Sequence, residues 1–235
     1  MTVTATEHGD PQEDPQDDGR SIEAVAGHHE SREQRHFKER LALWLFIGGD
    51  LVFLLMELFF WFYLRALNTN GLWRGAACTK ANPCTDGLGN PITSEITKAN
   101  PAYTLAIAGL VVIAALVIWR VEAASRAQAK RGAITGTATL ALVVLLAAVV
   151  VQCIQFGKLP FTTIDGSYAS CFIFFMGSTL GHLLLLSFLI FGLWNRARVG
   201  KYDGGHWYQV RLNRIFAVWI AISTCVLALV MVLFA

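Results

Sequence analysis

Residues Leu41 to Leu64 read LALWLFIGGDLVFLLMELFFWFYL, and this stretch decides the fold class. The hydrocarbon core of a bilayer is crossed by about 20 apolar residues of helix, so the stretch is long enough to span a membrane. Asp50 and Glu57 lie well inside both of its ends. At about 100° per residue the two carboxylates share one stripe of the helix, two turns apart. We expect that stripe to avoid lipid, because a central Asp costs roughly 2.5 to 3.5 kcal/mol on insertion scales.

Four more apolar runs follow the first. The chain has 235 residues, of which 54% are hydrophobic and 15% charged, a composition typical of membrane proteins. We therefore predict an all-α, polytopic membrane bundle of five transmembrane helices within residues 35–235. The predicted spans are 41–64, 102–119, 133–156, 168–194 and 212–235.

Residues 1–34 differ from the rest of the chain. They are rich in Asp, Glu, Gln and Pro and poor in apolar residues, which predicts a disordered, acidic N-terminal tail. The first apolar run is too long for the hydrophobic region of a signal peptide, so we expect the mature chain to keep all five spans.

Lys and Arg residues predict the orientation of the bundle. They are dense before the first span, in the second loop and in the fourth loop, whereas the third loop holds only Lys158. By the positive-inside rule the N-terminus lies inside and the C-terminus outside. Cys78 and Cys84 then lie in the first loop on the outer, oxidising side, where a disulfide between them is permitted. The alternative, a metal clip, lacks any further Cys or His in that loop.

The polar residues within the spans do not predict a catalytic centre. His182 is the only His in a span, and a bis-imidazole haem needs two. No phosphate-binding loop or nucleophile elbow is present either, so we expect no catalytic residue, metal ligand or cofactor in this chain. The polar groups predicted to be buried are Asp50, Glu57, Gln152, Gln155, Thr179 and His182.

These buried groups need hydrogen-bond partners in a medium without water. For the Gln and Thr side chains we favour hydrogen bonds between helices. No Lys or Arg lies deep in any span to neutralise Asp50 and Glu57. The two acids are therefore either neutral or face a proton, water, lipid or partner subunit. Gly177 and Gly181, four residues apart, further predict close packing on a neighbouring helix or another chain.

Taken in order, three stretches resemble the subunit III family of haem-copper oxidases, in its five-helix form. They are WLFIGGDLVFLLMELFFWFYLR in the first span, NPAYTLAIAGLVV opening the second, and IQFGKLPFTTIDGSYASCFIFFMGSTLGH leading into the fourth. The resemblance covers everything after the tail. The chain departs from the family where Thr179 replaces the first of two His residues, and where Asn213 and Phe216 replace a His and an Asp. The pair Gly49 and Asp50 is more similar to the nitric oxide reductase accessory branch of the family.

The resemblance implies a subunit without metals, in the plasma membrane of a bacterium, packed against a catalytic subunit I that holds the haems and copper. Other oxidase subunits and membrane lipids are further implied partners, and no nucleic acid is expected. Such a subunit stabilises the catalytic one, binds phospholipid and supports proton uptake in aerobic electron transport. Asp50 would take the place of the family's buried carboxylate, with His182 in the polar cluster of the fourth helix. The residues implied to meet lipid headgroups are Arg126, Lys130, Arg131, Arg196 and Arg198.

Other functions stay open from the sequence. An accessory protein of nitric oxide reductase is the first alternative. A stand-alone proton-coupled transporter is another, because Gly48 and Gly49 could break the first helix beside Asp50. We find no internal repeat of the kind that many transporters carry.

Overall fold

The structure, a computed structural model, describes residues 32–67, 73, 99–163, 166–202 and 207–234. Within these ranges it contains five α-helices and no strands. All five are long and apolar enough to cross a membrane, so the protein is a multi-pass membrane protein and the predicted fold class is confirmed. Most of the predicted tail, as well as Cys78 and Cys84, lies outside the described residues. The helices are α1 Arg32–Ala66, α2 Pro101–Arg126, α3 Arg131–Gly157, α4 Ser167–Arg198 and α5 Tyr208–Leu233.

All five helices extend beyond the predicted spans on the side of the basic loops, α3 by only two residues. α1 begins nine residues before residue 41 and α2 continues seven residues past residue 119. α4 and α5 are each extended by four residues on the same side. Hydropathy locates only the residues in the hydrocarbon core, whereas backbone hydrogen bonds continue a helix into the headgroup region without apolar side chains.

Local sequence sets where the second and third helices begin and end. The Asn100 side chain accepts a hydrogen bond of 2.9 Å from the Ala102 backbone N–H, and Pro101 occupies the first helical position, which together form a strong N-terminal signal. α2 and α3 are joined by residues 127–130 alone, and Gln128 in this turn has a φ of 50°. So short a connection makes α2 and α3 antiparallel neighbours.

α2 to α5 form the tightly packed part of the bundle. α2 packs against α3 and α5, and α4 packs against α3 and α5. Small side chains at these contacts let the backbones approach closely. Fully buried alanines are found on all four helices: Ala114, Ala138, Ala141, Ala148, Ala169 and Ala217.

α1 is more peripheral and packs through large side chains. Only 17% of its most apolar 18-residue stretch is buried, against 56% for that of α5. Ring pairs carry much of its packing, with centroids 5.4 Å apart for Phe46 and Phe216 and 5.0 Å apart for Trp61 and Phe175. Along α1, the polar contacts of Asp50 with α4 and α5 therefore lie between these two ring pairs.

Within the described ranges, the glycine pair of α4 does not lie at a contact with another helix. Gly177 and Gly181 are exposed, and a Cβ atom added at either would meet no described atom within 4 Å. The spacing predicts that this pair packs against a neighbouring helix or against another chain. In the described part of the chain, no neighbouring helix packs against it.

Candidate functional site

Asp50 on α1 is held by side chains from two other helices. Its Oδ1 atom lies 2.7 Å from His182 Nε2 on α4, and its Oδ2 atom accepts a 2.5 Å hydrogen bond from Trp219 Nε1 on α5. The Asp50 and His182 side chains are only 9% and 16% exposed. Both oxygens of the carboxyl group are therefore engaged, and Asp50 fixes three helices at one point.

The Asp50 and His182 pair can bury an acid without burying a net charge. An ionised Asp50 with a protonated His182 sums to zero, and so does a neutral acid with a neutral imidazole, with one proton between the two groups in either case. Asp50 lies about 13 Å along the helix from Leu41, near the middle of the bilayer. His182 is therefore the basic partner of Asp50, although no Lys or Arg lies deep in any predicted span.

Glu57 lies on the same inward stripe as Asp50, but its surroundings are different. It is 1% exposed, and Ser178 on α4 interacts with its carboxyl group. Among the described residues, neither Glu57 Oε1 nor Ser178 Oγ makes a hydrogen bond of good geometry, and no Lys, Arg or His forms an ion pair with Glu57. The two acids therefore differ: Asp50 has a basic partner, and Glu57 has none among the described residues.

The buried Gln side chains make contacts between helices. Gln155 Nε2 on α3 donates a 2.9 Å hydrogen bond to Thr104 Oγ1 on α2. Gln152 Nε2 donates to the Met176 carbonyl on α4 over 3.5 Å. Thr179 is buried near them, and its hydroxyl has no described partner. From the sequence we expected hydrogen bonds between helices for all three residues. The structure contains such bonds for Gln152 and Gln155 and none for Thr179 among the described residues.

A third buried acid, Glu122 on α2, was not predicted from the sequence. It is 1% exposed, with Oε1 2.5 Å from Arg126 and Oε2 2.7 Å from Arg214 on α5. The two guanidinium groups lie over indole rings, Arg126 over Trp207 at 4.4 Å and Arg214 over Trp119 at 5.4 Å. Glu122 follows the end of an apolar run, where an acid reads as a loop residue. The signal that could have found it is the four-residue spacing to Arg126.

The five residues implied to meet lipid headgroups are all exposed and lie at one end of the bundle, which we call the basic end. Arg126 combines this exposure with its bond to Glu122. Arg196 donates a hydrogen bond to Gln209 Oε1, and Arg198 lies 5.3 Å from the Trp194 ring centroid. Contacts within the protein hold these arginine side chains in part, and the side chains remain exposed.

Tyr202 lies in the turn beyond α4 at the basic end and is 3% exposed. Burial raises the pKa of its hydroxyl, and the interaction with Arg196 opposes that rise. Tyr202 is therefore a neutral hydrogen-bonding residue at ordinary pH, and it packs this turn onto the core.

Residues for a metal site do not converge in the described part of the chain, where no three His, Cys, Asp or Glu side chains form a cluster. The polar arrangement that the structure does hold is the contact of Asp50, His182 and Trp219, with Glu57 two turns along α1. No protein-family model and no curated protein matches this chain.

Proposed function

We propose that this protein is a non-catalytic, subunit III-like component of a haem-copper respiratory oxidase in a bacterial plasma membrane. The observation that supports it is the contact of Asp50 on α1 with His182 on α4. These are the residues that the resemblance assigns to the buried carboxylate and to the polar cluster of the fourth helix. If Asp50 and His182 act together, their side chains must be in contact, and they are.

The proposed role is stabilisation of a catalytic partner, with lipid binding and support of proton uptake nearby. Asp50 and His182 together can pass one proton between them while the pair keeps zero net charge. The exposed arginines at the basic end have the chemistry to bind phospholipid headgroups. α1 exposes a long apolar surface that includes Trp44, Leu45 and Phe59, which lipid or another subunit would cover.

Purification from the native membrane tests this proposal. A tagged chain, solubilised in mild detergent, should bring with it a subunit that shows a haem absorbance spectrum. The Asp50→Ala variant should recover less of that subunit than the chain with Gln155→Ala, because the acid is the costlier group to bury. Recovery of a stable, haem-free and partner-free protein from a membrane rich in oxidase would contradict the proposal.

The nitric oxide reductase branch is the second candidate, and the pair Gly49 and Asp50 favours it. The cofactors of the co-purified subunits distinguish the two branches. A copper-A-type electron entry site supports the oxidase, and a haem-c-type donor supports the reductase. If liposomes containing this chain alone show proton flux that Asp50→Asn abolishes, a transporter replaces both candidates.

A further inference from the structure

A small cavity lies among α2, α3, α4 and α5, toward the end of the bundle opposite the basic end. Polar side chains from all four helices line it together with apolar ones. No charged residue is among those lining it, so neither a cation nor an anion would find a counter-charge there. The polar lining residues are Thr104, Gln152, Gln155, Thr179 and Thr224.

The Thr179 hydroxyl is the group in this cavity that lacks a partner. Thr179 is 5% exposed, and its Oγ1 atom makes no hydrogen bond to any described residue. Helical threonines usually bond to the carbonyl one turn earlier. Thr137 does so on α3 at 2.7 Å and Thr139 at 2.9 Å. Thr179 does not make this bond, and its hydroxyl lines the cavity. A buried hydroxyl without a hydrogen-bond partner destabilises the folded state.

The neighbouring amides have hydrogen-bonding capacity left for a ligand. A Gln side chain offers two donor hydrogens and an acceptor oxygen with two lone pairs. In the described part of the chain, Gln155 makes one bond, to Thr104, and Gln152 makes one long bond of 3.5 Å to Met176. A small molecule at this place can therefore find the two to four polar partners that a buried water requires.

The size of the cavity restricts the ligand further. The cavity has a volume of about 10 Å³. A single buried water needs roughly 10 to 15 Å³ on this measure. The cavity is therefore at the limit for one water and too small for a lipid group or an organic solute.

We propose that this cavity is a binding site for one ordered water molecule, bonded to the Thr179 hydroxyl and to the amides of Gln152 and Gln155. A water-mediated bond is nearly as favourable as a direct one. The water would join α3 and α4 where their direct contact, from Gln152 to Met176, is long. This inference does not depend on the proposed oxidase function, because it rests on the packing of this chain alone.

A structure of the full-length protein in lipid nanodiscs, at a resolution that shows buried waters, tests the proposal. We expect a density peak within about 3 Å of Thr179 Oγ1 and of at least one Gln amide. Thr179→Ser should keep the peak and Thr179→Val should lose it. In thermal unfolding, Thr179→Val should lower the Tm by about 2 to 4 °C, and the control Thr137→Val, at a half-buried threonine away from the cavity, should lower it less.

The opposite results would overturn the proposal. They are an empty cavity at a resolution where other buried waters are visible, or a Thr179 hydroxyl that donates to the Phe175 carbonyl instead. A rise in Tm for Thr179→Val would also do so, because removing an unpaired hydroxyl from a dry cavity stabilises the folded state. If Thr179→Val does not fold, the density in the unsubstituted protein still decides.

Discussion

The bundle gives partners to one buried acid near the middle of the membrane and to another near its basic end, and the partners differ in kind. Asp50 contacts a His and a Trp, 2.7 Å and 2.5 Å away. Glu122 contacts two arginines, at 2.5 Å and 2.7 Å. In both places α5 supplies one of the partners, Trp219 or Arg214.

The difference follows from depth. Near the interface an Arg can keep part of its side chain in water, and the Arg126 side chain is indeed 47% exposed. In the middle of the bilayer a permanently charged guanidinium has no such outlet, so a residue that can be neutral is the cheaper partner. The two members of such a pair can pass a proton between them, whereas the two guanidinium groups that contact Glu122 stay protonated.

The largest effect is expected from Asp50→Ala. It leaves the His182 ring and the Trp219 N–H without their acceptor in a buried place, which should lower the free energy of unfolding by about 3 kcal/mol. Unfolding of the purified protein in mixed micelles measures the change. Asp50→Asn, which keeps the size and one acceptor oxygen, is the control and should lose less. A loss from Asp50→Ala below about 0.5 kcal/mol would mean that the contact contributes little.

Glu122→Gln should have a smaller effect, about 1 to 2 kcal/mol, because Arg126 can turn toward water or headgroups. Salt sharpens the comparison, since partly exposed ion pairs are screened and buried ones much less so. Raising the ionic strength should weaken the coupling of Glu122 with Arg126, measured in a double-mutant cycle. The coupling of Asp50 with His182 should stay constant. Equal salt dependence of the two would contradict the role given to depth.

Gln155→Leu should cost about 1 kcal/mol, the usual net value of one neutral hydrogen bond. The double variant Thr104→Val with Gln155→Leu removes both partners and should recover part of that loss. We expect Gln155→Leu to remain well below Asp50→Ala in the same unfolding assay. Equal effects of the two would show that the buried acid has no special weight.

Glu57→Gln is expected to have the smallest effect, within about 0.5 kcal/mol. No basic group in the described part of the chain pairs with Glu57, so an uncharged amide of the same size should replace the carboxyl group at little cost. Glu57→Ala, which also removes buried volume, should lose more in the same measurement. A large loss for Glu57→Gln would reveal a cation beside Glu57.

The sequence predicted the five helices because each apolar run is as long as a membrane crossing, a constraint that leaves few alternatives. It also identified Asp50 and His182 as single residues, by the cost of burying their polar groups. It did not pair them, because spacing along one helix carries no information on which face of another helix it meets.

Trp219 and Glu122 were not predicted from the sequence, for two different reasons. Trp219 reads as an apolar residue within an apolar run, and only the structure shows its N–H on Asp50. Glu122 stands just beyond the predicted end of its span at residue 119, where acids are usually solvated. Both depend on the position of α5, which hydropathy alone does not fix.

The central position of α5 affects how the bundle assembles during synthesis and membrane insertion. The ribosome makes this helix after the other four, yet it is the most buried of the five and carries both Trp219 and Arg214. Until it enters the membrane, Asp50 and Glu122 each lack one of their partners. The bundle is therefore completed late in its biogenesis, and a nascent chain stalled before α5 would present two incompletely paired acids to the insertion and quality-control machinery.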